Sequence, residues 1–110
     1  MVKFVLIFIT ALCLSVKCKR ILPILFWHSA GESCCDAEFQ TYSSVIQKYL
    51  GDNLIIKSVQ IGETPKWDRI KSLTIHPFDQ IAQVCDELGN DSNFSGGYNA
   101  IGLSQGALLM

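Results

Sequence analysis

The segment Gly102-Leu103-Ser104-Gln105-Gly106 holds the residues whose types and spacing are best suited to chemistry. A Gly-x-Ser-x-Gly pattern fits a strand that turns sharply into a helix, with the serine at the apex. The flanking glycines leave room for neighbouring backbone, so the serine can hold a strained conformation with its hydroxyl out of the sheet. There the backbone N–H of Gln105 can help to bind an oxyanion. The chemistry of such a group is nucleophilic attack on an acyl carbon. The same pentapeptide can also be read as a small-residue turn with no chemistry, so its context has to decide. Tyr98-Asn99-Ala100-Ile101 reads as a short strand after the loop glycines Gly96 and Gly97, and Ala107-Leu108-Leu109-Met110 as the start of a helix.

A serine nucleophile needs a base and an acid that orients it. In the fold that uses this turn, the chain order is Ser, then Asp or Glu, then His. The sequence ends at Met110, and both of its histidines, His28 and His76, precede Ser104. The expectation is the front part of an enzyme, truncated after the serine turn and inactive alone. His28 stands out of order for a catalytic base and is read as positioning its own loop. His76, directly before Pro77, is read as a surface loop residue.

The elements that must carry this turn alternate. Ile21 to Trp27 is a near-continuous apolar run with Pro23 near its start, as in a buried strand of a parallel sheet. A small and polar loop, Ser29 to Asp36, follows. Phe39, Tyr42, Val45, Ile46, Tyr49 and Leu50 recur at helical spacing, with Asp36 as candidate N-cap and Gly51 as the stop. Leu54 to Val59 is a second strand. Glu63 to His76 is open between a loop and a short helix carrying Trp67, Ile70 and Leu73. Pro77 starts a further helix with Phe78, Ile81, Val84, Cys85 and Leu88 as its buried face and Gly89 after its end. Strand–helix alternation of this kind builds a parallel sheet through right-handed crossovers. No internal repeat or low-complexity tract interrupts it.

Residues 1–18 read as a secretory signal peptide, with Lys3 as the positive start and Phe4 to Leu14 as an apolar run broken by Thr10; an uncleaved signal anchor and a buried first strand are the alternatives. Cleavage after Val16 and after Cys18 are both open. The run is shorter than the roughly 20 apolar residues a bilayer span needs, so no stable membrane span is expected. Beyond residue 18, seven basic residues face ten acidic ones, a net charge of −3. With no basic stripe, nucleic acid is not an expected partner. Residues 19–110 form one partial domain, enough for a small core but short for a complete doubly wound sheet. Cys34, Cys35 and Cys85 make an odd count in an oxidising compartment. If the vicinal two pair, Cys85 needs a mate beyond Met110; a buried free thiol is the alternative. Asn90-Asp91-Ser92 and Asn93-Phe94-Ser95 are N-glycosylation sequons in a stretch that reads as an exposed loop.

In an α/β-hydrolase the loop after an early strand supplies the second backbone donor of the oxyanion hole. Here that loop is Trp27-His28-Ser29-Ala30-Gly31-Glu32-Ser33-Cys34-Cys35, at the sheet edge expected to hold Ser104. The run Trp27-His28, Gly31 and Ser33-Cys34-Cys35, followed by Gly97 to Gly106, resembles the N-terminal part of lysosomal palmitoyl-protein thioesterases. Ile61-Gly62 and Val84-Cys85 fit the same alignment, and the resemblance covers Ile21 to Met110. It implies the N-terminal part of an α/β-hydrolase fold with a mainly parallel sheet, truncated after the nucleophile turn. Ser104 would attack a palmitoyl thioester on an S-acylated protein, in the lysosome or after secretion. The N–H groups of Ala30 and Gln105 would form the oxyanion hole. Cys34 and Cys35 would form a vicinal disulfide, and Cys85 would pair further on. No metal or organic cofactor is implied, because serine acyl transfer uses a base, its acid and backbone donors. Oligomeric state is not legible. Ser29 and Glu32 depart from the family's usual glycine and aspartate, and Ser29 would be strained if that glycine takes positive φ. Ala107 also replaces a common glycine. A secreted lipase or esterase, and a non-catalytic secreted protein, are the competing readings.

Overall fold

The computed structural model describes residues 20–110; the expected signal peptide, residues 1–18, lies outside them. The central strand is β1 (Ile24–Trp27), buried along its whole length. It pairs in parallel with β2 (Ile56–Ser58) on one side and with β3 (Asn99–Gly102) on the other, giving the order β2-β1-β3. This is a small α/β unit with a three-stranded parallel sheet, consistent with a truncated α/β-hydrolase-like fold. β1 is shorter than the apolar run from Ile21 predicts: Ile21 and Leu22 are exposed, and regular pairing starts only after Pro23.

Alternation along β1 sends neighbouring side chains to opposite faces. Phe26 meets α1 (Ala37–Leu50), with ring centroids 5.2 Å from Phe39 and 5.9 Å from Tyr42. Leu25 and Trp27 join Val59, Ile61, Val84 and Phe94 in the principal core. No residue of α1 is fully buried, and Tyr49 and Leu50 lie exposed on its apolar stripe. Asp36 occupies the N-cap position of α1 without capping it. Its carboxylate instead accepts from the Ser33 N–H at 2.9 Å and the Ser33 hydroxyl at 2.8 Å, and pairs with Arg69. Gly51 ends the helix at φ 112°.

The second crossover contains two helices. The segment from Glu63 is helical: α2 (Pro65–Thr74) starts with Pro65 in its first turn and with the Thr64 hydroxyl accepting the Trp67 N–H at 3.3 Å. Its orientation reverses the apolar expectation. Asp68 and Ser72 are buried, while Trp67 is 50% and Leu73 66% exposed. In α3 (Pro77–Gly89), Val84 is buried and Ile81 and Leu88 are packed against the core, as expected. Phe78 and Cys85 are exposed, however, and Gln80 takes the buried place. The buried pair Gln80 and Val84 is spaced i, i+4, which turns Phe78 away from the sheet. Gly89 is the last helical residue and Asn90 the cap. Between α3 and β3 the sequon stretch forms a 3-10 turn (Ser92–Phe94) pinned by Phe94, which is only 5% exposed within the core. The short helix α4 (Gln105–Leu109) follows β3. No helix among the described residues is long and apolar enough to cross a membrane.

Candidate active site

Two loops leave the carboxyl ends of adjacent parallel strands, one from β1 and one from β3. Their strands stay in register to the last pair, Trp27 opposite Gly102, and the Leu103 N–H still donates to the Trp27 carbonyl at 2.9 Å. The helix after β1 packs on the Phe26 face, while Leu109 of the helix after β3 packs against the Trp27 cluster, so the chain leaves the sheet toward opposite faces here. Open α/β sheets place their ligands in the crevice so formed.

Ser104 sits at this crevice with φ 50° and ψ −115°, the sole positive-φ residue other than glycine among the described residues. An ordinary serine N-cap is extended and accepts a helix N–H. Ser104 does neither: it precedes α4, makes no capping hydrogen bond and is exposed. The glycines around it are required by close approach. A Cβ on Gly102 would lie 2.5 Å from the Ala107 Cα, and one on Gly106 would meet the Trp27 carbonyl and lie 2.8 Å from that of His28. The turn is therefore pressed directly onto the end of β1. The plain small-residue turn explains the glycines but not the strained serine.

The β1 loop is held just as tightly. Ala30 and Gly31 form the corner of a turn closed by the Glu32 N–H donating to the Ser29 carbonyl at 3.1 Å. Positive φ falls on Gly31 at 79°, and Ser29 is free of it, so Ser29 carries no left-handed strain. The Glu32 carboxylate accepts the Ser29 N–H at 3.1 Å, and the Ser72 hydroxyl accepts that of Gly31 at 2.9 Å. Among the described residues, the N–H groups of Ala30 and Gln105 donate to no protein acceptor. Cys34 and Cys35 form a vicinal pair at the end of the loop, with Cα atoms 3.8 Å apart.

Beneath the loop lies a group that sequence reasoning missed. Asp68 is 0% exposed and its carboxylate accepts the N–H groups of Ile61 at 2.6 Å, Cys34 at 2.7 Å and Gly62 at 3.3 Å. His28, 2% exposed, places Nε2 3.2 Å from Asp68 Oδ2, an ion-pair contact without good hydrogen-bond alignment, and donates Nδ1–H to the Ser29 carbonyl at 2.9 Å. Burial opposes charging the imidazole, but Asp68, the Ser29 carbonyl and Glu32 together outweigh it and hold the His28 pKa above its ordinary value. Burial likewise opposes charge on Asp68, and His28 with the Cys34 and Ile61 N–H groups overcomes it, holding that pKa low. The sole sequence signal was the i, i+4 spacing of Asp68 and Ser72 in a helix whose apolar residues drew the attention instead.

His28 is thus buried, with Nδ1 bonded to the Ser29 carbonyl and Nε2 turned toward Asp68. His76, the N-cap of α3, is exposed and its Nδ1 accepts the Phe78 N–H at 3.3 Å. Asn90 and Asn93 are exposed on the turn before β3. Cys85 is free and opens onto an apolar recess of about 330 Å³ lined by Trp27, Leu88, Ala100 and Leu109.

A strained serine between β3 and α4, beside a fixed β1 loop in a parallel sheet, has the strand–turn–helix geometry of an α/β-hydrolase-like fold. Comparison with known proteins narrows the class. A family model described as palmitoyl protein thioesterase matches residues 23–110, and the chain belongs to that family. A palmitoyl-protein thioesterase-dolichyl pyrophosphate phosphatase fusion 1 of Schizosaccharomyces pombe is 30% identical over 90 residues, covering 81% of this chain and 14% of that protein. Palmitoyl-protein thioesterase 1 of Caenorhabditis elegans is 26% identical over 90 residues, covering 81% of this chain and 30% of that one. The chain therefore matches less than a third of the length of either relative.

Proposed function

We propose that this chain carries the nucleophile and oxyanion donors of a serine thioesterase acting on long-chain acyl thioesters of S-palmitoylated proteins in the lysosome. The observation that carries this reading is the backbone of Ser104, strained at φ 50° and exposed without a capping role. Ser104 Oγ attacks the acyl carbon as a base takes its proton, and the tetrahedral oxyanion is received by the N–H groups of Ala30 and Gln105. Collapse expels the cysteine thiolate of the substrate protein and leaves an acyl-serine, which water then hydrolyses. With His28 committed to Asp68 and Ser29, and His76 capping α3, the base comes from outside the described residues. Residues 20–110 alone are accordingly inactive. The reaction needs no metal or organic cofactor.

Export through the secretory pathway follows from reading residues 1–18 as a signal peptide. Cys34 and Cys35 form a disulfide in that compartment, a pairing supported by the contact between their two sulfur atoms. Asn90 and Asn93 are glycan acceptors, supported by their exposure. The reading is tested on the full-length gene product with a fluorophosphonate probe and with matched palmitoyl thioester and oxygen-ester substrates. The tag is expected on Ser104, with thioester preferred. A tag on another side chain removes the nucleophile assignment, and strong preference for the oxygen ester makes the protein a lipase or esterase instead.

A further inference from the structure

The N–H of Ala30 is useful only if its peptide plane is fixed, and Ala30 itself is exposed and unsupported. Its neighbours are held from one side. Immediately after it, the Gly31 N–H is bound by the Ser72 hydroxyl at 2.9 Å. Two residues before it, His28 is anchored 3.2 Å from Asp68, which also binds the Cys34 N–H at 2.7 Å. Ser72 and Asp68 lie one turn apart on the buried face of α2, and the Ser72 hydroxyl is itself oriented by donating to the Arg69 carbonyl at 2.8 Å. From α3, the Gln80 amide donates to the Ser72 carbonyl at 3.3 Å and to that of Ile75 at 2.9 Å, so the end of α2 is fixed in turn.

We infer that Ser72 and Asp68 are positioning residues for the oxyanion loop: α2 turns its polar face inward to bind the backbone after Ala30, at Gly31 and Cys34, and to meet the His28 side chain before it. This rests on the thioesterase reading of Ser104 and goes beyond it, since both side chains are buried beneath the loop and act through its backbone. Ground-state binding of the acyl chain does not depend on this clamp, whereas the oxyanion of the transition state does. Loss of the clamp therefore lowers kcat and leaves KM unchanged.

The test uses the full-length gene product with Ser72→Ala and, as a stability-matched control, Thr64→Ala, which removes the N-cap of the same helix without touching the loop. Turnover of a palmitoyl thioester is measured beside amide hydrogen exchange of the peptide spanning residues 28–35. Ser72→Ala is expected to reduce kcat roughly 10- to 100-fold at constant KM and to speed exchange in that peptide. Thr64→Ala is expected to lower the melting temperature while kcat stays within about twofold. The inference is overturned if Ser72→Ala keeps kcat within about twofold, if its loss lies in KM, or if Thr64→Ala loses as much kcat. If the wild-type protein does not hydrolyse thioesters, the proposed function fails separately. The exchange arm still decides the clamp: faster exchange in Ser72→Ala upholds it and unchanged exchange overturns it. Asp68→Asn is the second variant, expected to act in the same direction.

Discussion

Replacing Ser104 by glycine should make the protein more stable while abolishing its activity. At φ 50° and ψ −115° the residue lies outside the regions open to a side chain with a Cβ. Such a conformation stores about 1–3 kcal/mol. Glycine releases that strain, at a cost of about 0.5–1 kcal/mol in added freedom of the unfolded chain. Nothing else is lost, because Ser104 is exposed and its hydroxyl caps no helix. The expected net is a gain of about 1 kcal/mol. Ser104→Ala removes the same hydroxyl but keeps the Cβ, so its stability should stay within about 0.5 kcal/mol of wild type. The informative quantity is the glycine variant's stability minus the alanine variant's, measured by urea denaturation of the full-length gene product at constant m-value. At an unstrained site glycine is the weaker of the two by about 0.5–1 kcal/mol. Finding that ordinary order here would refute the claim of stored strain, and with it the argument that this turn is shaped for exposing a nucleophile. Both variants should lack thioesterase turnover, placing function and stability in opposition at one residue.

Gly106→Ala drives a Cβ into the Trp27 and His28 carbonyls of the central strand and its loop; it should cost about 2 kcal/mol or more in denaturant unfolding, and a change below about 0.5 kcal/mol would mean that the elbow can shift freely. Phe94→Ala empties a core position inside the sequon turn and should cost about 3–5 kcal/mol by the same measurement; a neutral result would make that turn a free loop. Stability should also follow the His28–Asp68 pair. His28 has a raised folded pKa, so its contribution is complete below its unfolded value, about 6.5, and is lost as pH rises through the folded value. Asp68 has a lowered one, so its contribution is present above the unfolded carboxylate value and lost as pH falls through the folded value. The pair thus supports the fold most in the acidic range between them. Melting curves from pH 4 to 9 should show an alkaline decline that His28→Asn lacks; parallel curves for the two proteins would contradict it.

What the sequence made legible was what local pattern determines. The Gly-x-Ser-x-Gly turn, the buried run ending at Trp27 and the stop at Gly51 each depend on conformations or burial that neighbouring residues specify. The order of strands and helices followed from the same periodicities except at α2, where the sequence is open between a loop and a helix. The small and polar loop after Trp27 was readable as a partner of the serine turn because both must leave the carboxyl edge of one parallel sheet. Periodicity failed where a helix had competing faces. In α3 the expected face included Phe78 and Cys85, and the structure rotates it toward Gln80 and Val84. The sequon stretch looked solvated throughout, yet Phe94 reaches the core and orders it. Asp36 stands at the N-cap position of α1 as expected, but Ser33 and Arg69 hold its carboxylate, so its side chain caps no helix N–H.

The reversed face of α2 has a cause that no window of sequence contains. Apolar residues at positions 68 and 72 would pack more readily, but together they would leave the N–H groups of Gly31, Cys34, Ile61 and Gly62 without the acceptors they now use. An unpaired buried donor costs about 1–3 kcal/mol, so four such losses would exceed what burying Trp67 or Leu73 returns, about 1.5–3 kcal/mol per side chain. The loop carrying Ala30 is 34 residues from Asp68 at Cys34 and 41 from Ser72 at Gly31, distances over which composition and periodicity are blind. The polar face is turned inward because an irregular backbone beside the serine must be satisfied from somewhere, and α2 is the element the crossover brings there. The same reasoning accounts for a buried carboxylate at all: Asp68 is tolerated because His28 and three backbone donors surround it. The charge that looks costly in isolation is what allows a loop without regular structure to stand at a fixed place next to the nucleophile.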